Sequence, residues 1–230
     1  MTRLLLLLTL LASLVLSSAP LAAAQEEDEE IDVAAIAETV LDVDPEALVE
    51  ALVDPPADDD LPEGFVSPPD GTPANADLAE SFQIPESEFP EAIASVSFPF
   101  DTDPEVVPGL VSAGYLNYVV LEEEITDEQL DEFREGAEEG LGTPEPGIES
   151  SVEDITVGGV DGLLISAVTT QDNVSAVVQL VALPVGNTVV IGTAVVADQE
   201  EIDPAEIQTY AEDLTLAGAE YLGTVAEEAR

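Results

Sequence analysis

The chain has 230 residues, with 51 acidic side chains against three arginines, and it contains no lysine, histidine or cysteine. Its formal charge of −48 repels itself, and compaction brings those charges closer together. The missing residue types exclude zinc centres of the usual kind, thiolate nucleophiles, Ser-His-Asp triads, Schiff bases and P-loops, and the negative field excludes nucleic acid as a partner.

Arg3 is the only basic residue ahead of an apolar run from Leu4 to Leu16, and Ala22-Ala23-Ala24 forms a small-residue site after it. This is the order of a secretory signal peptide over residues 1–24, with Gln25 as the expected mature N-terminus. The run is short of the roughly 20 apolar residues that span a bilayer. An uncleaved anchor is the alternative. A single arginine does not make a twin-arginine signal, and without cysteine there is no lipid-modified cysteine. The expected location is secreted, extracellular or periplasmic, with no membrane span in the mature protein. That compartment permits disulfides, yet the chain has no cysteine to form them.

Residues 25–53 read as an acidic helical segment. Glu26 to Glu30 are a solvated cluster, and Val33, Ile36, Val40 and Leu41 fall on one face of a short helix. Asp44-Pro45 starts a second helix, with an N-cap and a proline at N1, and Leu48 and Leu52 continue its apolar stripe. Residues 54–92 hold eight prolines, at 55, 56, 62, 68, 69, 73, 85 and 90. Proline fixes φ and removes a donor, so this stretch is expected to be extended and irregular. It is either a linker or a strip laid along the next domain. Phe65, Phe82, Ile84 and Phe89 favour the strip, because a free linker has no use for them.

From residue 93 to 230 the pattern is regular. Val96, Phe98 and Phe100 alternate with small or polar neighbours, as on a half-buried strand. Tyr115 to Leu121 form a strand that is apolar on both faces. Thr126-Asp127-Glu128-Gln129 is a capping box opening a helix with Leu130, Phe133, Ala137 and Leu141 on one side. Strands follow at about 151–157, 160–169, 174–183 and 188–197, joined by short turns at Gly158-Gly159, Gln171-Asp172-Asn173 and Pro184-Val185-Gly186-Asn187. Short turns imply antiparallel pairing in a meander. From Gly162 to Ala197 the only ionisable residue is Asp172, so the last three strands belong in the centre of the sheet. A closing helix starts at Asp203-Pro204, with Glu206 as the N3 member of a capping box, and lays Ile207, Tyr210, Leu214, Ala217 and Tyr221 on the sheet. The fold class is therefore α+β: an antiparallel meander of about six strands packed with helices, closed by a C-terminal amphipathic helix.

The glycine turn at Gly158-Gly159-Val160-Asp161-Gly162, the strand entry Gly186-Asn187-Thr188-Val189-Val190-Ile191 and the closing helix resemble the Mog1/PsbP-like α+β superfamily over about residues 93–230. The resemblance rests on element order. It implies a binding or accessory role more often than catalysis, and it carries over no functional residue.

Carboxylate chemistry survives the exclusions. A glycan hydrolase needs only two carboxylates at a fixed separation, but 51 candidates make any pair uninformative, and the chain has no tryptophan and only four tyrosines as sugar platforms. Calcium is the other option. Asp101-Thr102-Asp103-Pro104-Glu105 resembles the start of an EF-hand loop, but Val106 and Ser112 stand where glycine and glutamate are needed. Asp42-Val43-Asp44-Pro45 and Asp203-Pro204 share its Asp-Pro step, which helix capping explains. Asp58-Asp59-Asp60 and Glu122-Glu123-Glu124 could attract divalent cations weakly. Asn173-Val174-Ser175 is a glycosylation sequon, a tripeptide that arises often by chance.

No catalytic, cofactor-binding or metal residue is assigned from the sequence. The expectation is an exported, non-catalytic domain that binds a protein or surface partner, needs no cofactor and is adapted to a saline medium. The Debye length falls from about 10 Å at 0.1 M salt to about 3 Å at 1 M, so such a medium screens the repulsion. An acidic protein of an ordinary secretome is the competing view of the composition. The functional alternatives are a calcium-dependent acidic surface or matrix protein and, more distantly, a carboxylate-based glycan hydrolase.

Overall fold

The fold is described from a computed structural model, over residues 31–68, 92–102, 111–141, 147–171, 174–198 and 203–230. The signal sequence and its cleavage site, the Glu26–Glu30 cluster, Phe82, Ile84, Phe89, Asp103 to Glu105, Asp172 and the sequon residue Asn173 lie outside the described residues.

Two short helices come first, α1 (Val33–Leu41) and α2 (Pro45–Ala51). Asp32 Oδ1 accepts from Ala35 N, and Asp44 Oδ1 accepts from Glu46 N and Ala47 N with Pro45 in the first turn, so the expected cap is present. A 3-10 turn at Asp58–Asp60 leads into β1 (Phe65–Val66). This strand is only two residues long for a visible reason. The next amide, Ser67 N, donates to Asp58 Oδ1 at 2.7 Å, and Pro68 has no N–H to continue a ladder.

The rest of the sheet comprises β2 (Ala92–Thr102), β3 (Val111–Leu121), β4 (Ile148–Val157), β5 (Val160–Gln171), β6 (Val174–Val185) and β7 (Thr188–Asp198). Helix α3 (Asp127–Leu141) joins β3 to β4, and α4 (Pro204–Ala229) closes the chain. The sheet has seven strands in the order β1-β2-β3-β7-β6-β5-β4, and every pairing is antiparallel. The α+β class holds, while the count of about six strands is corrected to seven. The extra strand is β1, which arises within the proline-rich segment. It pairs Phe65 with Thr102 and Val66 with Asp101.

Strands β5, β6 and β7, whose only acids are Asp161 and Asp198 near their ends, are all interior, as expected, and the acid-rich β4 forms one edge. Gly158 and Gly159, both at positive φ (56° and 79°), make the tight β4–β5 turn. A Cβ on Gly158 would also come within 2.4 Å of the Val33 side chain, so α1 rests directly on that turn.

Helix α4 covers one face of the sheet. Alternation places Leu116 and Tyr118 of β3, Val190 and Ala194 of β7, and Val177 and Val181 of β6 on that face, within one large core cluster. The same cluster takes in Val33, Val40, Leu48, Leu52, Leu61 and Phe65, so residues 31–66 share the core of the sheet. Leu61 and Phe65 show this part of the proline-rich stretch lying on the body of the protein.

Two helical faces differ from expectation. Leu41, placed on the buried stripe of α1, is 41% exposed, because it stands at the end of the helix over the Gly186 turn. On α4, Tyr210 and Tyr221 are only half-buried, and the deepest positions include Ala211, Thr215, Gly218 and Ala219. Small residues let the helix come so close that a Cβ on Gly192 of β7 would fall 2.3 Å from Thr215 Oγ1 and 2.7 Å from Ala211 O. The larger tyrosines are pushed to its flanks.

Candidate functional site

Three features could carry chemistry: the distribution of charge, a groove beside α1, and a polar row inside the sheet's second face.

Charge comes first. Arg134 pairs with Asp154 of β4 and lies 3.8 Å from Asp131 one turn earlier, which ties α3 to the sheet edge. Hydrogen bonding to Arg134 holds the Asp154 carboxyl below its ordinary range. Arg230 donates to Asp42 Oδ2 at 3.0 Å and to Thr39 O at 3.2 Å, which ties the C-terminus to α1. Both arginines among the described residues thus act as structural clamps. The acidic runs remain at the surface: Asp58 to Asp60 and Glu122 to Glu124 are exposed. Asp58 is engaged by the backbone of Ser67, which draws its pKa down. Among the described residues no three Asp or Glu side chains gather as a metal centre requires. Of the Asp-Pro steps, Asp44 and Asp203 are N-caps, and Asp203 Oδ1 accepts from Ala205 N at 3.0 Å. The third step, at Asp103, lies outside the described residues.

A groove of about 370 Å³ runs between α1 and the second half of α4. Ile36, Gly223, Asp32, Glu220 and Glu227 are among its lining residues. Ile36 packs closely on Gly223, where an added Cβ would sit 3.2 Å from it.

The second face of the sheet carries Ala113, Tyr115, Asn117 and Val119 of β3, with Val189, Ile191, Thr193 and Val195 of β7. Helix α3 packs on part of it, where Phe133 and Ile125 meet Val119, Leu121, Val189 and Ile191. A second apolar cluster on this face is built of Ala113, Tyr115, Ala167, Ala176, Val178 and Val195. Between the two clusters stand Asn117 and Thr193, each 1% exposed. Neither atom of the Asn117 amide has a hydrogen-bond partner among the described residues, nor does the Thr193 hydroxyl. Leaving a buried donor or acceptor unmade costs about 1–3 kcal/mol per group. Burial raises the pKa of the neighbouring Tyr115 phenol well above its ordinary value, with the Asp101 carboxylate adding to the effect, so that phenol stays protonated.

Sequence reasoning assigned no site residue and passed over Asn117 and Thr193. The available signal was a carboxamide in the middle of a strand otherwise apolar on both faces.

No family model matches this chain, and neither does any curated protein. Partial structural likeness is found to PA94, a protein of unknown function from Pseudomonas aeruginosa, at 13% identity and a TM-score of 0.30, over 45% of this chain and 68% of that one. LpqN, involved in cell envelope biogenesis of Mycobacterium tuberculosis, gives 12% identity and a TM-score of 0.30 over 50% of this chain. The match spans 64% of LpqN's length.

Proposed function

We propose that the protein is an exported, highly acidic, non-catalytic domain that binds a partner or serves as an accessory factor at the cell exterior, in a saline medium. The observation that carries this reading is the commitment of Arg134 and Arg230 to structural ion pairs. The surface that remains is negative, and it has no free cation among the described residues with which to hold an anionic substrate. Export rests on the apolar run from Leu4 to Leu16 and the Ala22–Ala24 site. The element order of residues 93–230 keeps the Mog1/PsbP-like resemblance as support for a binding role. The groove between α1 and α4 offers a partner a concave seat, and its acidic lip favours a cationic or polar group over an anionic one.

Two measurements test the reading. Mass spectrometry of material recovered outside the cell should find a chain beginning at Gln25; a chain still starting at Met1 would remove export by cleavage. Calorimetric titration with calcium should show no saturable heat at micromolar to millimolar metal. Saturable binding there would replace this reading with that of a calcium-dependent surface protein.

A further inference from the structure

The polar side chains lining the groove between α1 and α4 present only acceptors. Glu220 and Glu227 are exposed, two turns and about 10 Å apart along α4, and no described side chain donates to either carboxylate. Asp32 accepts from Ala35 N through Oδ1 and keeps its second oxygen. The hydroxyls of Thr39 and Thr224 donate to Ala35 O and Glu220 O within their own helices, so they offer a ligand lone pairs alone. The lining also includes the apolar Ile31, Ala35 and Ile36. At Thr39 the chain already holds one guanidinium. Arg230 donates to Thr39 O at 3.2 Å and to Asp42 Oδ2 at 3.0 Å.

We propose that this groove receives arginine side chains from an extended segment of a partner protein. An anion would meet three carboxylates there. A divalent ion would meet no group of three acids close enough to hold it, among the described residues. A guanidinium carries a planar fork of donors and no acceptor, so it suits acceptors spread over two helices better than a compact ammonium does. Its aliphatic stem can lie on Ile31, Ala35 and Ile36. At about 370 Å³ the groove is near the small end of ligand sites, about 300–1,000 Å³, and admits side chains rather than a helix. The occupant comes from another protein, because this chain has no lysine and its described arginines are engaged. A second copy, of charge −48, has no more cations to offer, and the residues just before Ile31 are the acids Glu26 to Glu30. Alternate residues of an extended segment point to one side, so arginines at alternate positions approach Glu220 and Glu227 together. The inference rests on the partner-binding reading and names the chemistry of that partner.

The test is calorimetric titration of residues 25–230 in about 1 M sodium chloride, where a Debye length of about 3 Å leaves contact pairs but removes the diffuse field. The probe is the acetylated, amidated peptide Ala-Arg-Ala-Arg-Ala, with versions that carry lysine or citrulline in place of arginine. The arginine peptide should bind one to one with a Kd below about 1 mM, and the other two should bind about tenfold more weakly. Glu220→Gln with Glu227→Gln should weaken the arginine peptide about tenfold or more. Glu122→Gln with Glu123→Gln removes the same charge from another exposed run and should change binding less than about twofold. Ala35→Leu, at an exposed position of α1, fills the groove without altering its charge and should abolish binding. It carries the test if the Glu220 and Glu227 double variant fails to fold. Equal weakening by the two pairs of substitutions would overturn the proposal, as would equal binding of the lysine or citrulline peptide. Absence of saturable heat with the arginine peptide would overturn it too. If the chain outside the cell still began at Gln25 and gave no heat with calcium, that failure would remove the arginine partner and leave the broader partner-binding reading standing.

Discussion

Arg230, the last residue of the chain, donates to Asp42 Oδ2 at 3.0 Å, while Asp42 caps the C-terminus of the first described helix. The contact joins the two ends of the described fold. Both side chains are well exposed, at 43% and 75%, so solvent screens the pair strongly. Arg230→Ala should cost less than about 1 kcal/mol in 0.1 M salt. The loss should shrink further at 1 M, and a paired denaturant titration at the two salt levels would measure it. A loss that grows with salt would mean that Arg230 acts through packing instead.

A fragment of residues 92–230 should fail to fold stably. Val33, Val40, Leu48, Leu52, Leu61 and Phe65 belong to the same core cluster as the sheet and α4. Burying six such side chains contributes roughly 10 kcal/mol or more. That is comparable with the whole net stability of a domain, about 5–15 kcal/mol. Circular dichroism melts of 25–230 and 92–230 would compare them. An equally cooperative transition in the shorter chain would show that residues 31–66 are an appendage.

Close packing of α4 on β7 should make Gly192 intolerant of any side chain. Thr215 Oγ1 accepts from Gly192 N at 3.1 Å and donates to Ala211 O at 2.6 Å. Gly192→Ala forces a methyl group into that contact and should cost at least about 1–3 kcal/mol. Thr215→Val keeps the shape but leaves the Gly192 amide without its acceptor, with an expected loss of about 1–3 kcal/mol. Urea titrations of both variants supply the values. A neutral Gly192→Ala would mean that the helix can slide away from the sheet.

Local chemistry was the most legible part of this fold. Asp44-Pro45, Asp203-Pro204 and the Thr126/Gln129 pair are caps whose partners lie within three residues, and all three are present. The interior place of β5, β6 and β7 could be read because scarcity of charge is a property of each strand alone. Strand β1 could not be foreseen, since two residues carry no periodicity and its pairing depends on Thr102 and Asp101 across the sheet. The face of α4 was read only in part, through Ile207, Leu214 and Ala217, for a related reason. Ala211, Gly218 and Ala219 give little hydropathy signal, yet closeness to the sheet depends on their size. Asn117 and Thr193 looked unremarkable one strand at a time. Only the β3–β7 register shows that their unpaired groups stand together.

Alkali should unfold the protein in a way that its tyrosines report. Burial raises the pKa of Tyr118, whose hydroxyl donates to Gly218 O at 3.1 Å, and likewise that of Tyr115. The folded values exceed the unfolded value of about 10, so the folded state keeps protons that the unfolded chain releases. The stability this gives is complete below about pH 10 and is lost as pH rises from there towards the folded values. Tyrosinate absorbance should therefore show the half-buried Tyr210 and Tyr221 ionising first, with the other two appearing only as the circular dichroism signal collapses. Four tyrosines titrating together near pH 10 in a folded chain would contradict the buried β3 pair. At the acid end the sign reverses for Asp58 and Asp154, whose folded pKa values are depressed. Their contribution is present above the ordinary carboxylate range and is lost as pH falls through the folded values.

The central claim is that this domain is built for a medium that screens its own charge. The sequence sets 51 carboxylates against three arginines, and their mutual repulsion falls as the Debye length shortens from about 14 Å at 0.05 M salt to about 2 Å at 2 M. The most direct measurement is the melting temperature of residues 25–230 at neutral pH across that range of sodium chloride, with osmotically matched sucrose as the control for solute exclusion. The account predicts a steep rise with salt that sucrose does not reproduce. A melting temperature flat in salt, or matched by sucrose, would contradict it.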